Sequence, residues 1–139
     1  MGRIMAIDYG TKRIGLAVTD NLKMIATSLT TVLVNDLMIF LEAYLLKEEV
    51  ECFVLGRPMN LDNTESEMEK NVLSLIEALR RKFPLIKIER MDERFTSKMA
   101  AQTILAAGIK KMDRRDKSLV DRVSATIILQ SYLEQQSNL

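Results

Sequence analysis

Histidine is absent from this sequence, and no other feature of the composition restricts function as much. Its absence removes the commonest general base and the commonest transition-metal ligand, so Ser-His-Asp, Cys-His and histidine-zinc chemistries are excluded. Catalysis, if there is any, must use carboxylates, lysine, hydroxyls or hard cations bound through oxygen. A single cysteine, Cys52, rules out an internal disulfide, and its place in an apolar run marks it as a small buried side chain. Long apolar runs are missing too. The longest, Leu37 to Leu41, is stopped by Glu42, well short of the roughly 18 residues a membrane span needs. The N-terminus shows no export segment and has Ala6 where a myristoylation motif needs Ser or Thr. The expectation is a cytoplasmic protein with no membrane partner. Net charge is only +1, so clustering of charge matters more than its sum.

What is present reads as a mixed α/β domain. Arg3 to Asp8 and Arg13 to Thr19 are apolar runs joined by Tyr9-Gly10-Thr11-Lys12, which predicts an antiparallel hairpin. A third strand is expected near Leu29 to Val34. Asn35 is placed to cap a helix carrying Leu37, Phe40, Leu41, Tyr44 and Leu45 at helical spacing, ending near Glu49. Val50 to Gly56 reads as a buried strand, and Arg57-Pro58 turns the chain out of it. Met68, Val72, Leu75, Ile76, Leu79 and Phe83 make one face of a second helix, stopped by Pro84. Leu85 to Met91 alternates as a last strand. Helices over Ser97 to Ala107 and Ser118 to about Gln135 follow, with a fraying tail from Gln136. The order predicts a five-stranded mixed sheet flanked by helices, its later strands parallel, in a single domain over residues 1–139 without repeats or linkers.

In open α/β sheets, sites form beyond the carboxyl ends of the parallel strands. Polar residues stand at those ends: Asp8 after the first strand, Gly56-Arg-Pro-Met-Asn60 after the fourth, Asp92-Glu93-Arg94 after the fifth. Asp121 lies in the first turn of the closing helix. Were these elements to converge, three or four carboxylates would share a pocket, and their repulsion would require cations. Two Mg2+ or Mn2+ ions would suffice to polarise a phosphodiester and activate water without histidine. Each acid also has a plainer reading. Asp8 beside glycine is a common turn residue, Glu93 can pair with a surface base, and Ser118-Leu-Val-Asp121 is a capping box. The segment Lys110-Lys-Met-Asp-Arg-Arg-Asp-Lys117 holds five basic and two acidic residues; it is either a solvated loop or a phosphate-contacting one. Arg57 is expected to face the same opening, with Tyr9 and Phe95 the aromatic residues placed to stack on bases.

Four stretches together resemble the YqgF/RuvX family: Asp8-Tyr-Gly-Thr-Lys-Arg-Ile-Gly15, Leu55-Gly-Arg-Pro58, Asp92-Glu-Arg-Phe-Thr-Ser97, and Lys117-Ser-Leu-Val-Asp121 followed by Ser-Ala-Thr-Ile-Ile-Leu-Gln. The resemblance covers nearly the whole chain. It implies an RNase H-like fold and a metal-dependent pre-16S rRNA nuclease related to Holliday junction resolvases, with Asp8, Glu93 and Asp121 as the metal-binding catalytic acids. The chain departs from the family pattern at Asn63, often glycine, and at Phe95-Thr-Ser97, often Leu-Ser-Thr; Asn tolerates a left-handed turn, while the second change leaves the roles of Thr96 and Ser97 open. Lys110, Lys111, Arg114, Arg115, Lys117 and Arg57 are the candidate nucleic-acid contacts. The favoured substrate is an rRNA precursor, and branched DNA is the alternative. A non-catalytic nucleic-acid-binding module is the third reading. Sugar kinases and actin-like ATPases also open on Asp-x-Gly-Thr, but need a second lobe. The protein is expected as a monomer or homodimer.

Overall fold

The computed structural model describes residues 2–58, 66–92 and 117–137, with side chains from 123 to 136 in the last segment. Three strands come first, β1 (Arg3–Tyr9), β2 (Arg13–Thr19) and β3 (Ala26–Leu33). Helix α1 (Leu37–Lys47), strand β4 (Val50–Arg57), helix α2 (Met68–Lys82), strand β5 (Lys87–Asp92) and helix α3 (Lys117–Ser137) follow. The sheet order is β3-β2-β1-β4-β5. β1 is antiparallel to β2 and β2 to β3, whereas β1, β4 and β5 run parallel. This is the mixed five-stranded sheet that the order of strands and helices implies. The expected helix over Ser97 to Ala107 lies outside the described residues.

β1 is central and buried on both faces, which is why its sequence shows no alternation. Met5 and Ile7 join Ile14, Leu16, Phe53 and Leu55 in a core under α1 and α2. Ile4 and Ala6 join Ala17, Val54, Met91 and the α3 residues Ala125, Ile128 and Leu129 in a second core on the other face. Small side chains at Ala6 and Ala17 let α3 lie close to the sheet. Gly10 serves the β1–β2 turn in a similar way: its N–H donates to the Arg13 carbonyl at 2.9 Å, and a Cβ there would stand 2.6 Å from that oxygen.

Several boundaries differ from expectation, most by one residue and the following by more. β3 starts three residues earlier, because Asp20 Oδ1 accepts from the Met24 and Ile25 N–H groups at 2.9 and 3.0 Å and so brings Ala26 opposite Thr19. That turn contains Lys23 at φ 59°. Asn35 is not a helix cap: a 3-10 turn over Val34–Asp36 leads into α1, and the Leu37 N–H bonds the Val34 carbonyl. β5 starts at Lys87 rather than Leu85, since a turn bonding the Ile86 N–H to the Phe83 carbonyl leaves Leu85 97% exposed. α3 continues through Gln136 to Ser137, where fraying was expected.

The carboxyl ends of β4 and β5 are tied together by a carboxylate on α2. Glu69, 3% exposed, takes Arg90 in a two-pronged contact, Nη2–Oε1 2.6 Å and Nη1–Oε2 3.1 Å, and Arg57 Nε at 3.3 Å. Arg90 also donates to the Leu55 and Gly56 carbonyls at 3.4 and 3.1 Å. Arginine suits this role because its planar fork serves a carboxylate and carbonyls at once. Removing one partner of a buried pair leaves an uncompensated charge. Glu69→Ala is therefore expected to lower stability by about 3 kcal/mol in urea unfolding; a loss under about 1 kcal/mol would show the pair to be effectively solvated. Gly10→Ala should cost about 2 kcal/mol in the same measurement, since the backbone carbonyl it meets has no rotamer through which to yield.

Candidate active site

Asp8 is the next-to-last residue of β1, half-buried, at the carboxyl end of the central strand. Lying two residues beyond Ala6, it belongs to the face that α3 covers. Gly15 stands opposite it on β2. On β4 the register Ile7 with Leu55 makes the next residue, Gly56, its neighbour on the other side. The carboxylate thus has no side chain beside it on either neighbouring strand, although both glycines are buried. Gly15 was not singled out from the sequence, although a glycine inside the otherwise apolar run Arg13 to Thr19 is the signal that points to it.

α3 is oriented toward this end. Tyr132, in its C-terminal half, lies with Ile4, Glu51, Cys52 and Lys87 around a cavity of about 610 Å³ at the amino ends of β1, β4 and β5. The helix therefore starts at the opposite end, where Asp8 stands. From position 132 back to 121 a helix rises roughly 16 Å, and from Ile4 to Asp8 a strand advances about 13 Å. Position 121 lies toward that end of the helix, one turn before the buried Ala125. α3 already contains Lys117 and Ser118, so Ser118 is not its N-cap and the capping-box reading of Asp121 loses its geometry.

The remaining candidates fall differently. Glu93 follows directly on Asp92, the last residue of β5, and lies outside the described residues, as do Asn60, Asn63, Thr96, Ser97, Lys110, Lys111, Arg114 and Arg115. Lys117 is the first described residue of α3. Among the described residues no three acidic or cysteine side chains form a metal-binding group. Arg57, expected to face the same opening, ends β4 at this edge. It lies two residues beyond Leu55 of the α1/α2 core and reaches Glu69, at the same edge but on the other side of the sheet.

The opposite end of the sheet is chemically quiet. Burial, and then the Glu89 charge, push the Cys52 thiol up to about 11, so it is protonated at neutral pH and unreactive. Burial likewise raises the neighbouring Tyr132. Lys23 pairs with Glu51, and Lys87 with Glu89 at 2.8 Å. Charges that neutralise one another in this way make the cavity a poor phosphate site.

Comparison with known proteins agrees with this architecture. A family profile described as RuvX, Holliday junction resolvase, matches residues 2–135. A protein of Porphyromonas gingivalis named "Putative pre-16S rRNA nuclease" is 58% identical over 96% of this chain and 97% of its own length. Proteins of the same name from Christiangramia forsetii and Bacteroides thetaiotaomicron are 53% and 50% identical, over 96% and 98% of this chain and 98% and 99% of their own lengths. Among solved structures, Thermus thermophilus RuvC in complex with a Holliday junction substrate superposes with a TM-score of 0.61 at 14% identity, covering 97% of this chain and 96% of that one. That likeness identifies the fold as RNase H-like. With a family profile spanning all but a few terminal residues and relatives above half identity over nearly their whole length, the chain belongs to the RuvX family.

Proposed function

We propose that this chain is one RNase H-like nuclease domain over residues 1–139, a cytoplasmic metal-dependent endonuclease that hydrolyses phosphodiester bonds in processing the 5′ end of pre-16S rRNA. The observation that carries this reading is Asp8, a carboxylate held between Gly15 and Gly56 at the end of the sheet where α3 begins. The substrate is taken from the name shared by the relatives. Resolution of branched DNA is the second reading, favoured by the description of the family profile.

Hard oxygen donors fit Mg2+ or Mn2+, and the sequence offers no histidine to bind a softer metal. In this proposal Asp8, Glu93 and Asp121 hold two ions. When bound, such a pair polarises the phosphodiester, lowers the pKa of an attacking water and stabilises the leaving oxygen. The rigid end of β1 fixes Asp8, and α3 carries Asp121 on a helix anchored by its packed stripe. Lys110, Lys111, Arg114 and Arg115 precede Lys117, the first described residue of α3, so the chain returns from the basic segment to this edge. They contact backbone phosphates together with Lys117, and Arg57 joins from the other face of the edge.

Two tests address the acids. Asp8→Asn should lower cleavage at least ~100-fold, beyond the usual cost of losing an outer partner of a metal ligand, in assays that offer a pre-16S 5′ segment and a four-way DNA junction with manganese. Cleavage at the parent rate would remove Asp8 from the chemistry, and preference for the junction would favour the second reading. Asp121→Asn should unfold at the parent temperature or slightly higher without metal, because one crowded carboxylate is gone, yet lose the manganese-induced rise in Tm seen in the parent. Retention of both that rise and full activity would exclude Asp121 from the metal site.

The basic segment has its own signature. With Lys110, Lys111, Arg114 and Arg115 all changed to Gln, the slope of log affinity against log salt for single-stranded RNA should flatten by about 3 units if each contacts one phosphate. An unchanged slope would mean that the segment is only solvated.

A further inference from the structure

We infer that the outer edge of β3 pairs with the same edge of a second copy of this chain, antiparallel and about a two-fold axis. Among the described residues the sheet has two edge strands, β3 and β5. β5 is defended in the usual way, four of its six residues, Lys87, Glu89, Arg90 and Asp92, being charged. β3 carries no charge or proline, and none occurs from Met24 to Val34. Leu33 at one end of the strand is 56% exposed and Ile25 beside the other is 65% exposed. The Asp20 bonds to Met24 and Ile25 hold that second end in a defined turn.

The one irregularity in β3 selects the register. Ser28 lies opposite Ala17, on the α3 face, and Thr30 opposite Leu16, on the other, so Leu29 is an extra residue and the alternation shifts there by one. Ala26 and Ser28 consequently share a face with Thr31 and Leu33. In a two-fold antiparallel pair, directly opposed residues must lie on the same face. The shift satisfies this for a register centred between Leu29 and Thr30, setting Ala26 against Leu33 of the second copy and Ser28 against Thr31. Continued outward, the register sets exposed Ile25 toward Val34 of the second copy, so the apolar ends meet. The pair makes one ten-stranded sheet with an isologous interface.

A two-fold axis normal to the sheet reverses β1 between the copies. If Asp8 marks the catalytic end, which rests on the proposed function, the two centres lie at opposite ends of the joint sheet. Such a dimer cuts two strands independently and does not place paired nicks on one face of a junction.

Sedimentation of the full chain, without metal or nucleic acid, tests the assembly separately from the nuclease reading. The parent should show a monomer–dimer equilibrium, and Leu33→Lys, at an exposed position, should raise its dissociation constant at least tenfold while leaving Tm unchanged. Under mild oxidation, the double variant Ala26→Cys/Leu33→Cys should give a covalent dimer between copies, the buried Cys52 remaining reduced. A parent that stays monomeric to about 1 mM, a dimer indifferent to Leu33→Lys, or no cross-link between positions 26 and 33 would each overturn the inference.

Discussion

Everything at the carboxyl edge of the sheet depends on β1 being buried on both faces while carrying an acid at its end. Met5 and Ile7 face one core, Ile4 and Ala6 the other, and the strand is paired on both sides, by β2 and β4. Backbone held in this way has little freedom to relax. Asp8 is therefore fixed in position by the same contacts that stabilise the domain, an arrangement that lets a rigid element hold a reactive group within a fraction of an ångström. The glycines beside it extend the point. Gly15 and Gly56 are both buried, and a strand gives up stability to hold glycine, so neither flank of the carboxylate carries a side chain.

Glu69 shows the contrasting use of an acid. It is more buried than Asp8, and two arginines with the β4 carbonyls form a closed network around it. A carboxylate taken out of water needs such partners, because desolvation otherwise exceeds the Coulombic gain. Arg90 thereby ties Leu55 and Gly56 to α2, fixing the strand end next to Asp8. The two acids divide the work: Glu69 holds the edge, and Asp8 faces the opening.

The strands and their order were readable in the sequence because apolar runs of four to eight residues bounded by Gly, Pro or Asp leave few alternatives. What was not readable was set by tertiary contact. β3 is threonine-rich with no clean alternation, and its start depends on side-chain bonds from Asp20 in the preceding turn. Leu85 belongs to an apolar alternating run, yet a backbone turn at Phe83–Ile86 excludes it from β5. Glu69 sits at an ordinary polar position near the start of an amphipathic helix, and nothing in the local pattern says that it is buried. The ion pair of Arg57 with that glutamate was not legible either, since it depends on where α2 sets Glu69. Asp8 was legible as the end of a strand, while Gly15 as its neighbour needed the hairpin register.

The two ends of the sheet differ in a way that bears on where a polyanion docks. At the amino ends each lysine around the cavity has its own glutamate, and the thiol between them stays protonated. A phosphate arriving there would have to displace a carboxylate to gain a cation, an exchange with little net benefit in partly solvated surroundings. At the carboxyl ends the proposed function places acids that would need cations, and connectivity returns the chain to this edge at Lys117 from a segment with more base than acid. Metal ions and basic side chains gathered at one edge attract the backbone of a nucleic acid regardless of its sequence. The near-neutral balance of the whole chain is thus compatible with polyanion binding under the proposed function, since the charges around the amino-end cavity compensate one another.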